Sequence, residues 1–436
     1  MARTEHMPLP VSRLDAGPAG SLLSPARRWL SLAILFLVTT SSYFDYYVLS
    51  IVLEPIKQEF QVSDTLLGVL GGISFALLYS VTALPIARWA DRGNRRTIIT
   101  IALVCWSLMT AAGGCARSFW QLAVARLGVG MVEPGAVPPS QSLVTDYFPP
   151  ERRGTATALL NAGSAAGYLV GIGVGGYIAA AYGWRMAFIC AGLPGLLLAI
   201  LVRFALVEPR CQLGFPTAGA QSESWSASLV KLRRKRTFVL VLIGTSVFTI
   251  FSFGVMMFLP SFLMRDLRAT TAQISGTWAM SIAIANLVGS LIGGRLADAL
   301  SKNDVRWYAW LPGLACALGA PLYWAALAAN TVAGFIVFDC AAEFTLALGM
   351  SVSFAPVHAV CGSLRRSQAI AIMQLSFILI GAGIGPLVAG GLSDLLTATR
   401  GVASLRPALL FMVLFLVPAA AAFYAAGHSL PHELEA

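Results

Sequence analysis

Twelve stretches govern what this chain can fold into. Each runs for roughly 20 residues or more with few charges, which is the length an α-helix needs to cross the hydrocarbon core of a bilayer. They fall at 29–56, 65–89, 96–116, 118–147, 151–182, 184–207, 237–267, 271–299, 306–329, 332–362, 365–397 and 403–427. The balance of residue types agrees. Of 436 residues 57% are hydrophobic and 11% charged, where a soluble globular chain carries about a quarter charged. The expected class is an all-α polytopic membrane protein.

The joints between spans are short except at 208–236, a polar segment ending in the basic run KLRRKR. It divides the twelve spans six and six. The organisation expected is a cytoplasmic tail at 1–28, a six-helix bundle at 29–207, a cytoplasmic linker at 208–236, a second six-helix bundle at 237–427 and a short cytoplasmic tail at 428–436. The N-terminal tail has neither the apolar core nor the small-residue cleavage site of a signal peptide, so the first span is expected to stay in place.

Lys and Arg placement predicts the orientation. With the N-terminus inside, twenty-two of the 30 basic residues fall on the inner side, seven on the outer side, and Arg126 lies within a span. Both termini are therefore expected in the cytoplasm of a multi-pass protein of a plasma (inner) membrane, and the absence of an Asn-x-Ser/Thr sequon fits a bacterial source. The net charge of +10 follows from this topology and suits anionic lipid headgroups. No nucleic-acid role is expected of KLRRKR, because cytoplasmic linkers are basic in any case.

The two halves resemble each other. ARWADRGNRR (87–96) follows the second span and GGRLADALSKNDVR (293–306) follows the eighth; ERRGTATAL (151–159) opens the fifth and LRRSQAIAI (364–372) opens the eleventh. The copies are 207 residues apart (91 to 298) and 213 apart (152 to 365). Pro55 and Pro260 take similar places near the ends of spans one and seven. Duplication of a six-helix unit in one orientation places a solute site near the midplane, between the halves.

These motifs, with GWRMAF before the sixth span, resemble the major facilitator superfamily over about residues 29–427. Three stretches are similar to its spinster-type branch: the run from DYYVLS to FALLYS (45–80), GVGMVEPGAVPPSQSLVTDYFPPERRGTA (128–156) and GAGIGPLVAGGLSD (381–394). The resemblance implies twelve helices in two pseudo-symmetric bundles, a central cavity lined by spans one, four, seven and ten, and alternating access by rocking of the bundles.

The deep charges fall on three of those four spans: Asp45 in the first, Arg126 and Glu133 in the fourth, Asp339 and Glu343 in the tenth. A charge at the bilayer centre costs at least about 2.5–3.5 kcal/mol on insertion scales and marks function by default. Arg126 and Glu133, seven residues apart, share a helix face about 10 Å along the axis, and they are expected to pair or to share a third group. Pro134, Pro138 and Pro139 predict a bend beside Glu133. Burial favours the neutral acid and a nearby guanidinium favours the carboxylate, so Glu133 is the first proton-coupling candidate and Asp45 the second. Arg126, freed by protonation of Glu133, is expected to hold an anionic group of the substrate, with Asp45, Tyr46, Asp339 and Glu343 as further substrate contacts. Relatives of the branch carry Arg after the helix-one Asp; Tyr46 stands there in this chain, which removes one expected partner of Asp45. Asp339 and Glu343 lie toward the outer end of their span, where water could reach them. Glu54 and Asp394 read as wet helix ends. A purely structural brace is the bland alternative for each charged pair.

For the cytoplasmic gate, the superfamily implies that Asp91 faces a helix start in the other half, where the dipole favours an anion. Arg92, Arg95 and Arg96 follow it; Asp298 is its weaker copy, and the helix starts concerned are those at Arg152 and Arg365. GYLVGIGVGG (167–176) and GAGIGPLVAGG (381–391) set small residues at the spacing that lets helices approach closely. Ile172 stands where the superfamily's exporters carry proline, whereas Pro386 keeps it in span eleven.

No nucleophile–base pair, Walker-type loop or Cys/His cluster is visible. The four His (6, 358, 428, 432) are scattered, and the seven Cys sit mostly in apolar runs. No metal, cofactor or enzyme activity is expected. A channel would need no two-fold repeat with paired gates. The function expected is that of a monomeric, proton-coupled secondary-active transporter for an amphipathic or lipophilic solute, lysolipid-like or drug-like by resemblance to the branch and so including lipid transport. Proton-linked symport of a small organic anion is the alternative.

Overall fold

The structure, a computed structural model, describes residues 23–209 and 225–434. Residues 1–22 of the expected tail, 210–224 of the expected linker, and 435–436 lie outside it. Among the described residues there are helices and no strands. Eleven helices are long and apolar enough to cross a membrane: α1 (Pro25–Phe60), α2 (Asp64–Ala90), α3 (Arg95–Gly114), α5 (Glu151–Tyr182), α6 (Trp184–Ala205), α7 (Arg236–Arg265), α8 (Gln273–Ser301), α9 (Trp307–Ala328), α10 (Val332–Val360), α11 (Gln368–Arg400) and α12 (Leu405–His432). The twelfth, α4, is broken: Phe119–Val132 is α-helical, Glu133–Gly135 forms a 3₁₀ turn, and Val137–Tyr147 resumes the α-helix. A short basic helix, Trp225–Arg234, precedes α7.

Local sequence sets the joints. Ser24 caps α1 ahead of Pro25, Asn94 caps α3 through Thr97 N (3.1 Å) and Ser118 caps α4, each side chain satisfying a backbone N–H that the first helical turn leaves orphaned. Gly183, at φ +86°, makes the sharp joint between α5 and α6, a conformation that costs glycine little. The Trp29 ring near the start of α1 meets Phe148 edge-on at 5.2 Å, while Glu433 accepts from the backbone N–H groups of Arg236 and Thr237 at 2.8 and 2.9 Å. Both ends of the described chain therefore lie on one side of the bundle, called here the terminal side; the α1–α2, α7–α8 and α11–α12 joints lie on the far side.

The repeat recurs in the backbone. Helices α2, α5, α8 and α11 each contain a π-helical segment: Val69–Ile73, Val170–Val174, Gln273–Trp278 and Phe377–Ile384. Those segments meet pairwise between the halves. Gly72 of α2 abuts the carbonyls of Ala382 and Gly383 in α11, and Gly173 and Gly176 of α5 abut Ser275 in α8. Within each half small residues also do the close work. Gly167 and Gly171 of α5 sit on Tyr43 and Tyr47 of α1, and Gly381 and Gly385 of α11 sit on Thr249 and Gly254 of α7.

Candidate functional site in the centre of the bundle

The break in α4 positions the first half of the site. Pro134, Pro138 and Pro139 lack the N–H groups that an unbroken helix would use. The chain tightens into one 3₁₀ turn, with Ala136 N donating to Glu133 O at 3.0 Å. Gly130 and Gly135 let this region press on Phe75 of α2 and Ala102 of α3. Glu133 opens the turn as a buried residue.

Asp45 and Arg126 form an ion pair, Nη1 to Oδ2 at 2.7 Å, with both side chains nearly buried at 4% and 2% exposure. The Thr110 hydroxyl donates to the other Asp45 oxygen at 2.7 Å. The Nε of Arg126 has no partner. Glu133 accepts a hydrogen bond from the Ser42 hydroxyl. The expected Arg126–Glu133 pair is thus not formed. Seven residues along α4 is about 10 Å, whereas α1 lies directly across and offers Ser42 and Asp45, three apart on one face. One face of α1 therefore supplies an acceptor to the guanidinium and a donor to the acid. The loss of arginine at position 46 leaves Asp45 paired after all, because Arg126 reaches it from α4.

Tyr46 faces the boundary between the halves. Its ring meets Phe75 of α2 and, edge-on at 5.9 Å, Phe253 of α7; Phe253 in turn meets Phe377 of α11 at 5.0 Å. Its hydroxyl is buried without a hydrogen-bond partner. An aromatic bridge thus crosses the middle of the molecule, a feature that composition alone did not reveal because membrane helices are rich in these residues everywhere.

In the second half, Asp339 is 0% exposed and accepts from Trp278 Nε1 of α8 at 2.7 Å, while Glu343 accepts from the Tyr323 hydroxyl of α9 at 2.6 Å. The expectation of a wet outer helix end is corrected for both. Burial by α8 and α9 removes Asp339 from water, and Glu343 is only partly accessible.

The far side holds a cross-half network that the sequence did not disclose. Asp64, at the start of α2, is fully buried and receives both Nη1 and Nη2 of Arg265 (2.8 and 2.9 Å), Lys57 Nζ (2.8 Å) and the Ser393 hydroxyl (2.7 Å). Arg265 Nε also binds Glu54 at 2.5 Å. Asp394 of α11 caps α2, accepting from Asp64 N at 3.0 Å and Thr65 N at 2.7 Å. Glu54 and Asp394, expected as wet helix ends, are part-buried and each bonds across to the other half. Ser63 before Asp64 is a helix-start pattern that could have pointed to this site, whereas Arg265, one of the seven outer basic residues, offers no such signal.

On the terminal side the basic residues after α2 act differently from the gate expected. Arg95 is fully buried and binds Glu208 (2.7 Å), where the first half passes into the linker, and Asp146 (2.6 Å) and Ser142 (2.8 Å) of the first half. Arg96 donates to the Leu206 carbonyl at 3.4 Å, again within that half. Asp298 accepts from Tyr308 of α9 at 3.3 Å, a contact inside the second half. Arg152 is exposed at the start of α5, and Arg365 is part-buried near the start of α11. The side chains of Asp91 and Arg92 lie outside the described residues. Arg95 and Arg96 thus brace one half, and the cross-half ion pairs that Arg265 makes with Glu54 and Asp64 lie on the far side.

The sequence profile of the Major Facilitator Superfamily matches residues 35–365. The chain belongs to that superfamily. It is a superfamily transporter, a multi-pass membrane protein of two six-helix halves. It is 32% identical over 397 residues to an MFS-type efflux pump of Mycolicibacterium smegmatis, covering 89% of this chain and 90% of that one. Protein spinster homolog 3 of Danio rerio is 24% identical, with 87% and 80% covered. Among solved structures, a bacterial homologue of the human lysosomal transporter Spinster, in an inward-facing and unoccupied conformation, superposes with a TM-score of 0.85 at 26% identity, covering 95% of this chain and all of that one. The spinster-like placement within the superfamily rests on these two relatives.

Proposed function

We infer that this transporter couples proton movement to transport of an amphipathic or lipophilic organic solute, lysolipid-like or drug-like, by alternating access. The observation that carries the reading is the state of the buried acids in the first half. Asp45 is satisfied by Arg126 and Thr110, while Glu133 has Ser42 as its bonded partner and no ion pair among the described residues. A buried acid that is not directly ion-paired is costly when ionised, so Glu133 is the group that takes up and gives back a proton, and Asp45–Arg126 is the fixed pair beside it. The aromatic bridge through Tyr46, Phe253 and Phe377 offers an apolar body a surface shared by both halves. The far side, by Lys and Arg placement, faces the exterior of a bacterial inner membrane, with both termini in the cytoplasm. The conformation then has its outer gate shut by Arg265, Asp64 and Asp394, and the Spinster homologue it superposes on is described as inward-facing.

The test is transport in proteoliposomes under an imposed pH gradient. Wild type moves an amphiphile in response to the gradient. Glu133→Gln retains solute exchange at equal pH and loses the gradient response. Coupling that persists in that variant and disappears in Asp45→Asn moves the proton to Asp45. A second reading, proton-linked symport of a small organic anion, draws on the free Nε of Arg126 and on the 30% identity to the cis,cis-muconate transport protein of Acinetobacter baylyi over 59% of this chain. Proton flux stimulated by carboxylates and not by amphiphiles selects it.

A further inference from the structure

The buried groups of the second half are not accounted for by a proton on Glu133. Asp339 and Glu343 stand four apart on α10, so they share one helix face. Among the described residues no Lys, Arg or His forms an ion pair with either; the side chains that hydrogen-bond them are Trp278 and Asn286 of α8 and Tyr323 of α9. One carboxylate oxygen of Asp339, Oδ1, is buried with no hydrogen-bond partner. Across the boundary between the halves stands Tyr168 of α5. It is 7% exposed, and its hydroxyl lies within electrostatic reach of both carboxylates yet bonds to nothing. The Tyr47 ring of α1 meets Tyr168 edge-on at 5.0 Å, and Phe251 of α7 meets Tyr323 at 4.9 Å.

A structural brace would leave its polar atoms satisfied, and this cluster does not. It has two acids on one side, an unused phenol oxygen on the other, aromatic faces around them, and no positive charge. Acids in an aromatic cage without a resident cation suit a ligand cation, which the carboxylates attract by charge and the rings by their quadrupoles. We propose that Asp339 and Glu343, closed over by Tyr168, form a binding site for the ammonium group of a cationic amphiphile, whose apolar body lies along the Tyr46–Phe253 bridge. The proposal rests on the transport reading above and adds to it the charge of the solute. The first half then handles the proton and the second half selects the cargo, so that Arg126, held by Asp45, is no anion receptor.

Equilibrium binding of labelled octyltrimethylammonium to the full chain in lipid nanodiscs tests this, with octanol and octyl sulfate as chain-matched competitors. Saturable binding is expected that neither competitor displaces at equal concentration. Asp339→Asn and Glu343→Gln are each expected to weaken it at least about tenfold, since a buried charge has lost its partner, while Asp339→Glu retains most of it. A monodisperse size-exclusion profile qualifies each variant, and Glu343→Gln alone suffices if Asp339→Asn does not fold. Equal displacement by octanol or octyl sulfate overturns the proposal, as does unchanged affinity in a folded acid variant. Either failure leaves proton-linked amphiphile transport standing. Charge-selective binding that depends on the acids supports the proposal even where the pH-gradient assay gives no flux.

Discussion

At the scale of single residues, partner choice decides what each buried charge can do. Arg126 is committed to Asp45, and a guanidinium so committed serves as structure first. Breaking a buried pair strands a charge at a cost of about 3–5 kcal/mol, whereas removing both charges costs far less. Arg126→Ala is therefore expected to lower the thermal midpoint in detergent sharply. Asp45→Asn in the same chain should recover much of that loss, as a melting series on the two singles and the double would show. Had Arg126 been paired with Glu133, the recovery would come from Glu133→Gln instead. Arg95 obeys the same rule on the terminal side. Arg95→Ala removes the guanidinium that binds the buried Glu208, and the first half should lose about 3 kcal/mol or more in denaturant melts.

At the scale of helices, the four π-helical segments sit where the halves touch, and the touching residues are small. A Cβ on Gly68 would lie 2.3 Å from the Pro386 carbonyl oxygen, and one on Gly390 would lie 2.2 Å from the Asp64 carbonyl oxygen. Backbone cannot yield to either. Gly390→Leu is expected to force α2 and α11 apart at the far side while leaving each half folded. Spin labels at Gln58 and Thr399, both exposed on that side, should then report a longer and broader distance by pulsed electron resonance. An unchanged distance would mean that α2 and α11 absorb the side chain without parting.

For the whole molecule, the Arg265–Asp64 hub is the strongest polar tie between the halves among the described residues, and it is buried and bidentate. Charge-assisted bidentate bonds of this kind are about twice as strong as neutral ones. The alternating-access cycle proposed above requires it to break once per cycle. Arg265→Gln is expected to shift the resting population toward the state open on the far side, read as faster labelling of a cysteine placed at Thr65. Turnover should fall in proportion if closing the far side limits the cycle.

The six-and-six organisation was legible in the sequence because hydrophobic length is a local property and every span carries its own. The break in α4 was legible too: three prolines beside an acid can hardly stay in one straight helix. The repeat showed in the paired motifs after α2 and α8. What the sequence left open was each charge's partner. Glu133 lies seven residues from Arg126 and ninety-one from Ser42, yet the bond goes to Ser42, because reach across a helix pair is set by packing and not by spacing. Asp394 and Glu54 looked wet for the same reason; only the approach of α11 and α7 to the α1–α2 joint gave them partners in the other half. One-dimensional hydropathy fixes how many helices cross, since each helix answers to the bilayer alone, and proline placement fixes where α4 bends. Which side chains meet between helices, and so which acids stay without a counter-charge, is decided by the tertiary packing of glycine-lined faces.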